Sequence, residues 1–121
     1  MSFPKHKIET MTFEESHYNF NNKRWNAKDL YEFAEAKKYE PFDLPLCAVD
    51  LSKIPFSLKD LDEFIFQMKR VEDTSLEFPI LISDKGQIAD GYHRICKAIL
   101  EGRETIKAIR LLEMPNPTII E

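Results

Sequence analysis

Apolar residues recur at helical spacing in three stretches of the chain and cluster or alternate at strand spacing in four. Asn26 suits an N-cap, and Ala27 to Tyr39 then carries Leu30, Phe33 and Ala34 on one face, which predicts a helix closed off by Pro41 and Pro45. Leu46 to Leu51, apolar and containing β-branched Val49, predicts a first strand. Ser57 can cap a second helix over 58–70, in which Leu58, Leu61, Ile65 and Met68 form one stripe that Phe64 broadens. Lys69 and Arg70 suit the negative end of that helix.

Phe78 to Ser83 predicts a strand with Pro79 at its entry, Asp84-Lys85-Gly86 a turn, and Gln87 to Asp90 the return strand of a hairpin. A third helix should follow Gly91 and run through Glu101, with Ile95, Ala98 and Ile99 facing inward and Gly102 as its stop. Thr105 to Leu111 alternates polar and apolar residues, as a strand with one wet face does. Residues 1–26 and the tail from Met114 show no steady period and read as irregular.

The order strand–helix–strand–strand–helix–strand over 45–121, behind an extension over 1–44 with one helix, predicts an α+β fold: a small mixed sheet flanked by helices. At 121 residues the two parts should pack as a single globular unit around one core.

Seventeen basic against 21 acidic side chains give a net charge of −4. That balance argues against nonspecific coating of nucleic acid, which clustered Lys and Arg drive by releasing counterions. Lys5, His6, Lys7 and the run Asn22-Lys23-Arg24-Trp25 mix basic and aromatic groups and keep a DNA contact open, weakly. No apolar run approaches the ~20 residues that span a bilayer, and the start lacks a signal-peptide core, so the expectation is a cytoplasmic protein without a membrane partner. Cys47 and Cys96 fit neither a disulfide framework nor a metal site and read as reduced, structural thiols.

Glycine is scarce, and Gly86, Gly91 and Gly102 crowd into one stretch. Within it, Asp90-Gly91-Tyr92-His93-Arg94 joins a strand directly to a helix. The first turn of a helix offers free N–H groups and partial positive charge, Gly91 lets a ligand approach closely, and Arg94 carries a planar fork matched to phosphate oxygens. Gly91, Tyr92, His93 and Arg94 are therefore candidate phosphate- or nucleotide-binding residues, and Asp90 a candidate catalytic carboxylate that would act as a base or hold Mg2+. The same residues also make an ordinary strand-to-helix turn, with Asp90 in an Asx-turn and Arg94 paired to a carboxylate.

The stretch PILISDKGQIADGYHRICKAILEGRETIKAIRL, with the helix opened by Asp90-Gly91-Tyr92-His93-Arg94, resembles the ParB/sulfiredoxin superfamily over about 45–112. The resemblance implies a small mixed sheet with helices and a ligand such as CTP, ATP or another phosphate compound at the turn; the Asp90 carboxylate beside it would call for Mg2+ or a proton to transfer. Sulfiredoxins place cysteine where this chain has Tyr92, so the resemblance does not extend to their activity: a phenol, with a pKa near 10, cannot act as a thiolate at neutral pH. Partition ParB proteins add a helix-turn-helix and a dimerisation segment for which 121 residues leave no room. Two alternatives stand beside nucleotide binding with Mg2+-dependent phosphotransfer or hydrolysis. One is a DNA-associated, nuclease-like or accessory module; the other is an interaction protein whose pocket has decayed.

Overall fold

The computed structural model describes residues 2–8 and 16–120. Residues 9–15, part of the stretch read as irregular, lie outside the described residues.

The extension begins with a hairpin, β1 (His17–Phe20) and β2 (Lys23–Asn26), paired antiparallel with Tyr18 opposite Trp25. Its two-residue turn is Asn21-Asn22, with φ of 49° and 56°. Two positive φ values are what a tight hairpin of right-handed twist requires, and asparagine tolerates them better than other side chains. Four-residue strands are too short to show a period, which is why the sequence there reads as irregular. Helix α1 (Ala27–Ala36) follows at once and buries Ala27, Leu30 and Ala34. It ends before Tyr39 because Lys38 turns to φ 58° and the Tyr39 N–H closes back on the Ala34 carbonyl at 3.1 Å.

The first strand of the main sheet is β3 (Phe42–Pro45), not Leu46–Leu51; Leu46–Ala48 forms a 3-10 turn instead. β3 is an edge strand, where Pro45 can end the ladder without leaving a neighbour unpaired. A boundary at residue 44 therefore falls inside a strand. Helix α2 spans Leu61–Asp73, beginning three residues later than the 58–70 pattern suggests. Asp60, not Ser57, is its cap, and its carboxylate accepts the Glu63 N–H at 2.8 Å. β4 (Ile80–Ile82), β5 (Ile88–Asp90), α3 (Tyr92–Leu100) and β6 (Thr105–Arg110) fall close to their expected places.

The main sheet has the order β3-β6-β4-β5 and is mixed: β4 and β6 run parallel, joined through β5 and α3, while the other pairs are antiparallel. A second sheet, β1-β2-β7, is closed by β7 (Ile119–Ile120), which pairs with β2 from the tail read as irregular. The fold is thus a small α+β arrangement of three helices and two sheets among the described residues.

Two groups of buried residues sandwich the main sheet. Tyr18, Trp25, Leu30 and Ala34 from the extension pack with Leu81, Ala89, Ile109 and Leu111. Leu46, Ile80, Ile82, Ile106 and Ala108 pack with Ile95 and Ala98 of α3. The alternation in β4 and β6 sends successive side chains to opposite layers, so the extension covers one face of the sheet and α3 the other. No residue of α2 belongs to either group. Among the described residues no helix is long and apolar enough to cross a membrane.

Candidate functional site

The Asp90–Arg94 segment lies where the sequence places it, at the end of β5 and the first turn of α3. Gly91 is the N-cap, with φ 120°, and no side chain caps this helix end. Its missing side chain serves packing: a Cβ there would lie 2.4 Å from Cγ2 and 2.7 Å from Cβ of fully buried Ile80.

Arg94 is buried, 9% exposed, and its fork turns inward. Nη1 donates to the carbonyls of Phe78 at 3.0 Å and Pro79 at 2.6 Å; Nη2 donates to the Tyr31 hydroxyl at 2.7 Å and Asp90 Oδ2 at 2.8 Å. The Tyr31 hydroxyl in turn lies 2.9 Å from Asp90 Oδ2 and 3.0 Å from the Pro79 carbonyl, so its single proton is directed between two acceptors. Burial and then the Asp90 charge push the Tyr31 phenol well above its ordinary range, and it stays protonated. Tyr31, Asp90 and Arg94 form a satisfied, charge-balanced network that fastens α1 to β5, α3 and the entry of β4.

His93 points the other way. Its Nε2 lies 2.7 Å from Oε1 of buried Gln67 on α2, and its ring stacks on Phe56 with centroids 4.8 Å apart. Burial, helped by the charge of Arg70, pulls its pKa down to about 4, so the ring is neutral at pH 7. With His93 neutral it donates Nε2–H to Gln67. Tyr92 is half-buried, its phenol pushed up by burial and then by the charge of Asp50.

The segment therefore brings the five predicted residues together in sequence but not toward one ligand. Arg94 and Asp90 face Tyr31, and His93 faces Gln67. Asp90 Oδ2 already accepts from Arg94 and Tyr31, and among the described residues no three His, Cys, Asp or Glu side chains converge on one point. A pocket of about 460 Å³ does open beside Arg94, between Tyr31, Thr74, Ser75 and Phe78. Cys47 and Cys96 are both free, the Cys96 thiol pushed up by burial.

Three residues of these networks had no local signal. Tyr31, Gln67 and Phe56 come from segments distant in sequence. Lys97 is a fourth: it donates from α3 to the Glu72 and Thr74 carbonyls at 3.0 and 2.6 Å, capping the end of α2.

α2 is the second unusual feature. Its most buried residue is polar Gln67, 8% exposed, with Glu63, Phe66, Arg70 and Val71 half-buried around it. Leu61, Phe64, Ile65 and Met68 turn more toward solvent and are 72, 45, 39 and 54% exposed. The apolar stripe read from the sequence of this helix points at solvent.

The chain thus combines a small α+β fold, an internally neutralised turn and an apolar helix face directed outward. Comparison with protein-family models, with curated proteins and with solved structures found no match.

Proposed function

We propose that this chain is a protein-interaction module: the 90–94 turn braces the fold, and the working surface is the outward face of α2. The observation that carries this reading is the exposure of Leu61, Phe64, Ile65 and Met68 on a helix held to the body by Gln67 and Lys97. Contiguous apolar patches of more than a few hundred Å² are rare on free surfaces and mark binding sites. The absence of a free cation at the turn supports the same reading, since Arg94 is neutralised by Asp90 and His93 is uncharged at pH 7.

The test is the double substitution Phe64→Ser/Met68→Ser, with urea unfolding followed by Trp25 fluorescence in dilute solution. A free face leaves the unfolding free energy within about 0.5 kcal/mol of the parent. A loss of roughly 2 kcal/mol or more would show that the face belongs to the fold, and would overturn the proposal.

One observation favours a second reading, a nucleotide or other phosphorylated ligand: the pocket of about 460 Å³ beside Arg94, of a size that holds small molecules. That reading rests on the resemblance of the stretch around Asp90-Gly91-Tyr92-His93-Arg94 to the ParB/sulfiredoxin superfamily. A thermal-shift panel of nucleoside mono-, di- and triphosphates, CTP and ATP included, with and without Mg2+, decides between them. A ligand at ~100 times its Kd adds about 2.7 kcal/mol. No shift is expected; a shift lost on Ser75→Trp would put the second reading in place of the first.

A further inference from the structure

We infer that the occupant of the α2 face is a second copy of the same chain, its α2 packed antiparallel to the first about a twofold axis. This rests on the interaction-module reading and adds the identity of the partner.

The argument is one of charge and symmetry. Asp62 and Lys69 are a heptad apart in α2, nearly two full turns, so they stand on the same flank of the apolar stripe. The acidic residue is near the helix start and the basic one near its end. Two parallel copies would set Asp62 beside Asp62 and Lys69 beside Lys69. Antiparallel copies set Asp62 of each beside Lys69 of the other, twice by symmetry. Lys69 Nζ lies 3.1 Å from Asp73 Oδ2 on the exposed surface, and such an exposed i,i+4 pair holds it only weakly.

The apolar positions agree with the same register. It places Ile65 against Met68 of the second copy at the centre, and Phe64 beside Val71 of the second copy on the opposite flank, with Leu61 toward each end. The Ile65–Met68 and Phe64–Val71 contacts repeat when the helix is turned end for end, which is the requirement for an isologous contact, while Leu61 at each end meets the stem of Glu72 of the second copy. Leu58, just before the helix start, lines with Leu51 and Ile54 a groove of about 240 Å³ against α3.

The experiment is sedimentation equilibrium of the full chain from about 1 μM to about 1 mM, the range in which a modest helix–helix interface associates. The expected result is reversible monomer–dimer behaviour. Asp62→Lys and Lys69→Asp each weaken it roughly tenfold, since each turns two attractive pairs into two repulsive ones. The double exchange Asp62→Lys/Lys69→Asp returns the Kd to within about threefold of the parent, because the pairs are restored with signs reversed. Far-UV circular dichroism checks that each exposed variant remains folded. A monomer throughout the range overturns the second-copy inference while leaving the module reading to its own unfolding test. A dimer that ignores both single exchanges, or that the double exchange fails to restore, overturns the antiparallel pairing. If Phe64→Ser/Met68→Ser also lowers monomer stability by roughly 2 kcal/mol or more, it is the module reading that fails.

Discussion

Asp90 and Arg94 meet across the first turn of α3, Oδ2 to Nη2 at 2.8 Å, with both side chains largely withdrawn from solvent. The pair spans Gly91, so the residue that allows β5 to bend into α3 is bracketed by the charges that hold the bend. Breaking a buried ion pair from one side leaves the other charge without a counterpart. Arg94→Met is expected to cost about 3–5 kcal/mol, measured by urea unfolding. Asp90→Asn, which keeps an acceptor oxygen, should cost less.

Gly91 and Gly102 separate two reasons for glycine. Both have positive φ, 120° and 74°, but a Cβ at Gly91 meets Ile80 whereas one at Gly102 meets nothing within 4 Å. Gly102→Ala should cost about 1 kcal/mol, from backbone strain alone. Gly91→Ala should cost roughly 3 kcal/mol or more, because buried Ile80 must shift as well. Parallel thermal melts check the ranking.

His93 makes stability depend on pH in one direction. Its folded pKa, about 4, lies below the ~6.5 of an unfolded histidine, so the unfolded chain takes up the proton first as pH falls. The neutral ring's contribution is therefore complete above about pH 6.5 and declines as pH drops toward 4. Between about pH 6.5 and 5, above the range where ordinary carboxylates titrate, the urea midpoint should fall with acidification. His93→Gln should flatten that slope, and an NMR titration of the ring should show no protonation above about pH 5.

Tyr31→Phe removes the hydroxyl that links α1 to Asp90, Arg94 and the Pro79 carbonyl. The expected loss is about 1–3 kcal/mol, since buried partners lose a hydrogen bond with no water to replace it. In the parent, alkaline titration at the tyrosinate absorbance should show one phenol that ionises only as the chain unfolds.

Thr118 joins the tail to the extension: its N–H donates to the Arg24 carbonyl at 2.7 Å and its hydroxyl to Asp29 at 2.8 Å, while Trp25 Nε1 donates to the Pro115 carbonyl at 2.8 Å. Removing residues 115–121 should shift Trp25 emission to the red and lower the melting temperature by several degrees. An unchanged emission maximum would count against the β2–β7 contact.

Much of this architecture is legible in the chain. Long periodic segments such as α3 and β6 declare themselves because their burial pattern repeats several times, and Gly91 and Gly102 mark the two ends of α3. The hairpin around Asn21-Asn22 and the strand at Ile119 escape notice because strands of four and two residues repeat nothing. β3 was displaced toward Leu46 because an edge strand ending in proline is less apolar than the 3-10 turn behind it.

The site divides along the same line. Residue order alone determined that Asp90, Gly91, His93 and Arg94 would share one turn and that Leu61, Phe64, Ile65 and Met68 would share one helix face, because both follow from spacing along a regular backbone. Only the tertiary structure decided where those groups point: Arg94 toward Tyr31, His93 toward Gln67, and the apolar face of α2 away from both cores. Direction depends on which distant elements stand alongside, and a helix with two unlike faces looks identical in sequence whichever one it turns toward the sheet.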